Sequence, residues 1–129
     1  MRALLDTHAL LWWLDGDERL SEPARAFIGD EDNAVLVSAA SAWEIATKVR
    51  IGRLPGAVQV AAELGACLTS QGFTELAITL AHGLRAGGLP GPHRDPFDRM
   101  LIAQAQSEEL TLITRDRAFR AYEVAIQTD

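Results

Sequence analysis

Short apolar runs alternate along this chain with longer stretches of amphipathic character. Ala3–Leu5, Ala34–Val37, Thr74–Ala77, Leu110–Ile113 and Val124–Ile126 are too short for helices and predict buried strands. Between them, Thr7–Leu14, Ser21–Gly29, Ser41–Ile51, Val58–Gln71, Thr79–Leu89 and Pro96–Glu109 predict helices. Strand–helix alternation of this kind predicts an α/β fold with a mostly parallel sheet covered on both faces. The extra helices between the second and third strands predict a helical arm. Two breaks stand out. Ile51–Gly56 separates one helix from the next, and Gly87–Arg94, dense in Gly and Pro, predicts an irregular surface loop beside the site.

Composition narrows the class. A chain of 129 residues predicts a single domain, 1–129, large enough to bury a core without staples. One cysteine, Cys67, excludes an internal disulfide. Arg2 gives the N-terminus a charge, but Asp6 and His8 interrupt the apolar region and no small-residue cleavage site follows. No apolar stretch reaches the roughly 18 residues of a membrane span, so a cytoplasmic protein is expected. The net charge of −6 argues against a passive nucleic-acid coating protein, whose affinity would come from a basic surface. It leaves room for an enzyme that meets phosphates through bound cations, and for a basic partner peptide.

The acids then change the picture. Asp6 ends the first strand, and Asp116 follows Leu112-Ile113-Thr114 at the end of the fourth. Both therefore lie at the carboxyl edge of the sheet, where open α/β folds bind ligands. Glu44 lies one turn into the helix opened by Ser41, and Asp95 and Asp98 flank Pro96-Phe97 at the start of another. Each also has a local reading. Asp6, Asp95 and Asp116 fit helix caps, Ser41 and Glu44 fit a capping box, and Asp98 fits the negative charge that a helix start favours. Taken together, several junction acids at one edge would repel one another without a counter-charge. Hard oxygen donors without Cys/His ligand spacing select Mg²⁺ or Mn²⁺ over Zn²⁺. A water on such an ion can attack a phosphodiester.

Four blocks carry a resemblance: Leu4–Trp13 ("LLDTHALLWW"), Val37–Ala46 ("VSAASAWEIA"), His93–Ala105 ("HRDPFDRMLIAQA") and Leu110–Tyr122 ("LTLITRDRAFRAY"). In this order they resemble the PIN-domain family, and within it the VapC-type ribonuclease toxins of bacterial toxin–antitoxin pairs. The resemblance implies a three-layer α/β/α fold with a five-stranded parallel sheet of order 3-2-1-4-5. It also implies Mg²⁺- or Mn²⁺-dependent cleavage of RNA, a VapB-like antitoxin as inhibitor and a homodimer. By motif it assigns Asp6 as the first metal ligand, Glu44 as the second acid, Asp98 as the acid opening the "DRMLIAQA" helix and Asp116 as the last. Thr114 matches a hydroxyl that orients Asp6 or a water.

The remaining polar residues are ambiguous from sequence. Asp95 reads as a cap, with Asp98 preferred for the site. Arg99 and Arg115 lie beside the acids, as phosphate contacts or as counter-charges. Lys48 fits an i,i+4 partner of Glu44. His93 reads as a bystander, and Trp12, Trp13 and Trp43 as core or dimer contacts without a site role. Two rival functions remain. One is another acid-cluster nuclease or a phosphatase, against which His8 counts, because small phosphatases of that sort place a second Asp two residues after the first. The other is a non-catalytic binding module with structural Mg²⁺.

Overall fold

In the computed structural model, which describes residues 1–122 and the strand 126–128, five strands form one parallel sheet of order β3-β2-β1-β4-β5. They are β1 (Arg2–Leu5), β2 (Ala34–Ser38), β3 (Thr74–Leu76), β4 (Thr111–Thr114) and β5 (Ile126–Thr128). Among the described residues, seven helices connect them: α1 (Thr7–Asp15), α2 (Glu22–Gly29), α3 (Ala39–Arg50), α4 (Val58–Ala62), α5 (Leu64–Gln71), α6 (Leu80–Gly88) and α7 (Pro96–Ser107). Short 3₁₀ turns occupy Pro55–Ala57 and Arg117–Ala121. Since α3, α4 and α5 all fall between β2 and β3, the expected helical arm is present.

The apolar runs work as strands because both sheet faces are covered. Successive side chains point to opposite faces. Ala3, Leu5, Val35, Val37 and Ile113 pack on one side with Leu10, Ala24, Ile28 and Leu68. Leu4, Leu36 and Leu112 pack on the other with Leu101, Ile102, Ala105 and Phe119. The sheet is thus the middle of three layers. Register sets the edge that matters here. Leu5 pairs with Ile113, and Ser38 with Leu76, so β1, β2 and β4 all release their chains at the same carboxyl edge.

Several expected boundaries move. The expected strand Leu110–Ile113 starts one residue later, because Leu110 N–H still donates to Ala105 O at the end of α7. The expected helix Val58–Gln71 breaks at Glu63, whose φ of −124° ends α4, and its amide bonds back to Gln59 and Val60. Helix α3 opens at Ala39, not Ser41. Of the expected last strand Val124–Ile126, only Ile126 lies within the described residues, and β5 runs on to Thr128.

Candidate metal centre at the carboxyl edge

Asp6 is the single residue between β1 and α1, and it is buried, at 6% exposure. Its amide donates to Ile113 O, which fixes it against β4. Its two carboxylate oxygens have separate duties. Oδ1 accepts from Ala9 N–H at 2.8 Å, capping α1, while Oδ2 accepts from the Thr114 hydroxyl at 2.5 Å. The cap reading and the site reading therefore hold together. Thr114 also accepts from Asp116 N–H at 3.0 Å, so one buried hydroxyl orders the loop backbone that carries Asp116.

Glu44 is 3% exposed, on α3. The expected capping box is replaced by another arrangement. Ser38 caps α3 through Ala40 N–H, which leaves Ser41 inside the first turn and Glu44 beyond capping range. Ser41 and Glu44 meet Thr7 instead. The Thr7 hydroxyl lies 2.7 Å from Glu44 Oε1 and 3.0 Å from Ser41 Oγ. A hydroxyl has one proton and a carboxylate only accepts, so Thr7 donates to Glu44 and Ser41 donates to Thr7. Lys48 pairs with the second oxygen of Glu44 from one turn further along α3, as its spacing suggests.

Asp98 lies at N3 of α7, and Asp95 is the cap. Asp95 Oδ1 accepts from Phe97 N–H at 2.9 Å and from Asp98 N–H at 3.1 Å. The Asp98 carboxylate is 2.8 Å from His93 Nε2. Burial pushes the Asp98 carboxyl up to about 6, opposed by its hydrogen bond to His93 and reinforced by the charges of Asp95 and Glu44. Asp116, exposed, caps the 3₁₀ turn through Ala118 N–H.

His93 corrects the bystander reading. Its position comes from the Gly-Pro loop folding back along α7. Gly91 has φ of +106°, and a Cβ there would stand 2.9 Å from the Tyr122 hydroxyl, so only glycine fits. The same hydroxyl accepts from His93 N–H at 3.1 Å. Arg99 completes the clamp, donating to the carbonyls of His93, Leu89 and Ala86. Three of the five guanidinium N–H donors are used on these carbonyls, so in this structure Arg99 holds the loop.

The four expected acids therefore meet at one edge, but in two halves. Asp6 and Glu44 sit inside a hydroxyl lattice of Thr7, Ser41 and Thr114. His93, Asp98 and Asp116 form the tight group, each offering a ligand atom within 4.8 Å of the others. The halves are joined through Thr114, which touches both Asp6 and the Asp116 amide, and through the field of Glu44 at Asp98. Residues 3–125 match the family profile of the PIN domain. The chain belongs to the PIN-domain family. Ribonuclease VapC22 of Mycobacterium tuberculosis is 31% identical to this PIN domain over 122 residues, covering 92% of this chain and 90% of that one. Solved structures share the PIN fold at lower identity. VapBC2 from Rickettsia felis bound to a DNA fragment from its promoter superposes with a TM-score of 0.67 at 13% identity, over 99% of this chain and 98% of that one. FitAcB from Neisseria gonorrhoeae gives 0.66 at 20% identity, over 98% and 96%.

Three contributors had weak sequence signals. Thr7 and Ser41 are unremarkable in a sequence; only the packing of α1 against α3 brings them together. His93 is five residues from Asp98, a spacing that becomes short because Asp95-Pro96 turns the chain between them.

Proposed function

We propose that this PIN domain is a metal-dependent endoribonuclease, the toxin of a toxin–antitoxin pair, and that it hydrolyses phosphodiester bonds in RNA. The observation that carries the reading is the gathering of acids at the carboxyl edge, from buried Asp6 and Glu44 through half-buried Asp98 to exposed Asp116, in a chain similar along its length to a protein named as a ribonuclease. The donor set suits Mg²⁺ or Mn²⁺: carboxylate oxygens, with one imidazole at the margin and no thiolate. A carboxyl held protonated up to about pH 6 by burial and like-charged neighbours is what a divalent cation would relieve. Asp6, Asp98, Glu44 and Asp116 would hold the ion or ions. Bound there, a divalent cation supplies Lewis-acid chemistry, polarising the phosphodiester and acidifying water.

The chain's own groups do the positioning. Thr114 fixes Asp6 through Oδ2, the oxygen that does not cap α1. Thr7 and Lys48 take Glu44 from two sides and fix its plane. His93 steadies Asp98 from the loop. The implied partners are the RNA substrate and a VapB-like antitoxin, with the toxin as a homodimer. Support for self-association comes from Trp43, Leu80 and Leu84, apolar side chains that are 60%, 84% and 73% exposed on α3 and α6.

The test uses purified chain free of antitoxin. Mg²⁺ or Mn²⁺ should support cleavage of RNA, and EDTA should abolish it. Asp6→Asn and Asp98→Asn should each lower the rate by at least about 100-fold. Cleavage that survives both substitutions would show that the site is wrong. If the acids serve only as caps, the same changes lower thermal stability and leave metal affinity unaltered.

A further inference from the structure

Beside the metal centre lies a second cluster that the acid chemistry does not use. The face of α1 carrying His8, Leu11, Trp12 and Asp15 follows the i, i+3, i+4, i+7 spacing of one helix stripe. With Arg19, Arg53 and the turn Leu54–Ala57 it lines a cleft of about 300 Å³, at the small end of ligand sites, which start at roughly that size. Trp12 is half-buried and packs partly against the core. Two guanidinium groups lie on its ring, those of Arg19 and Arg115, each centred 5.2 Å from the ring centroid. The His8 ring lies 5.7 Å from Trp12 as well.

Three features give this cluster a direction. First, it gathers cations in a chain of net charge −6. Asp17 engages Arg19 through both carboxylate oxygens and sets its plane, whereas no ion pair among the described residues engages Arg115 or Arg53. Asp15 is the one acid in the cleft wall. Second, Arg115 stands between Thr114 and Asp116, both part of the metal centre, so the cation platform is continuous with the acids. Third, the chemistry is mixed. Guanidinium forks match phosphate, and Trp and His rings offer π-faces to bases. A ligand that satisfies both at once, while reaching the acid cluster, is a single nucleic-acid strand.

We propose that the cleft between α1 and the Arg53–Ala57 turn is the substrate-holding subsite of the nuclease. Arg115 and Arg19, braced on Trp12, take a backbone phosphate next to the one that is cut, and the adjoining base enters beside His8 and Arg53. This rests on the RNA-cutting reading above and gives Trp12 a role that its apolar context hides.

Binding of a fluorescent single-stranded RNA is measured by anisotropy across a salt series, with Mg²⁺ present and in a nuclease-dead Asp98→Asn background. Arg115→Gln should weaken binding about tenfold and make the log–log salt slope shallower by about 0.7, the share of one phosphate contact on a single strand. Arg53→Gln should do the same to a smaller degree. Arg2→Gln removes the same charge at the opposite end of β1 and should change neither. In the active protein, Arg115→Gln should raise KM and leave kcat in place, which a purely structural Arg–Trp contact would not do. Wild-type affinity and slope in both Arg115→Gln and Arg53→Gln would overturn the proposal, as would an equal effect from Arg2→Gln. Failure of the wild-type chain to cut any RNA sinks the ribonuclease reading instead, and the binding series still judges the cleft.

Discussion

The two halves of the acid cluster are built on opposite principles. Asp6 and Glu44 are nearly inaccessible, yet each carboxylate meets a hydroxyl from a different element, and Glu44 also meets the Lys48 ammonium one turn along its own helix. Their desolvation is offset by fixed hydrogen bonds, so they are held in position before any ion arrives. Asp98 and Asp116 lie further out, on a helix start and a loop; Asp98 meets His93, and Asp116 caps the turn behind it through Ala118 N–H. Burial without enough donors drives the Asp98 carboxyl upward. The inner half is thus preorganised by the fold. On the proposed function, the outer half would be completed by the cation it holds.

Removing a donor from the inner half breaks this contrast most severely. Thr114→Val keeps the shape of a buried side chain and deletes the hydroxyl that Asp6 Oδ2 accepts from and that the Asp116 amide donates to. Two groups lose a hydrogen bond at once. Loss of stability of about 1–3 kcal/mol is expected, read as a lower Tm and urea midpoint. Metal affinity should fall in parallel by about tenfold, as for groups that orient ligands. Thr7→Val should act similarly through Glu44. If Thr114→Val melts like the wild type, Asp6 is not held by this hydroxyl.

For the outer half the expected effect is smaller and has the opposite sign. Asp98 has an ordinary value of 3.8, raised to about 6 in the folded protein. Between those values the folded state binds more protons than the unfolded chain, so stability falls as pH rises through that window. Above about pH 6 the full penalty applies. Metal-free Asp98→Asn should therefore be more stable than the wild type at pH 7.5, on the order of 1–2 kcal/mol, and the gap should close near pH 4. Mg²⁺ should raise the wild-type Tm at pH 7.5 far more than at pH 5. Parallel pH profiles for the two metal-free proteins would contradict the burial argument.

What the sequence revealed follows the range of the interactions involved. The strands were readable because a parallel sheet buried on both faces needs continuous apolar runs, and Ala3–Leu5 and Ala34–Val37 have that form. Their order, 3-2-1-4-5, came with the family resemblance and matches the sheet. Caps at Asp6, Asp95 and Asp116 were readable because capping is local. Ser41 shows the limit. Its spacing from Glu44 fits a capping box, but Ser38 starts α3 one turn earlier and packing hands Ser41 to Thr7. The break at Glu63 has no Pro to announce it, and the nearby Gly65 falls inside α5 instead of at the break. His93 and Arg99 depend on the path of a loop that Gly91 and Tyr122 fix, contacts 29 to 31 residues apart that no local window reports.

Asp95 and Asp98 offer the finest version of the comparison, since they are three residues apart and chemically identical. Asp95 spends Oδ1 on two backbone amides, whereas Asp98 points into the outer half. Asp95→Ala should cost about 1 kcal/mol through the lost cap, and Asp95→Ser should recover most of that, because a serine hydroxyl also accepts from the helix amides. Neither change should weaken the affinity for Mn²⁺ by more than about threefold, the range of a neighbouring charge that is not itself a ligand. Asp98→Asn should do the reverse, losing metal affinity while stabilising the metal-free chain. Should Asp95→Ser keep its stability and lose Mn²⁺, then Asp95 is itself a ligand, and the boundary between cap and site lies one helical turn earlier than drawn here.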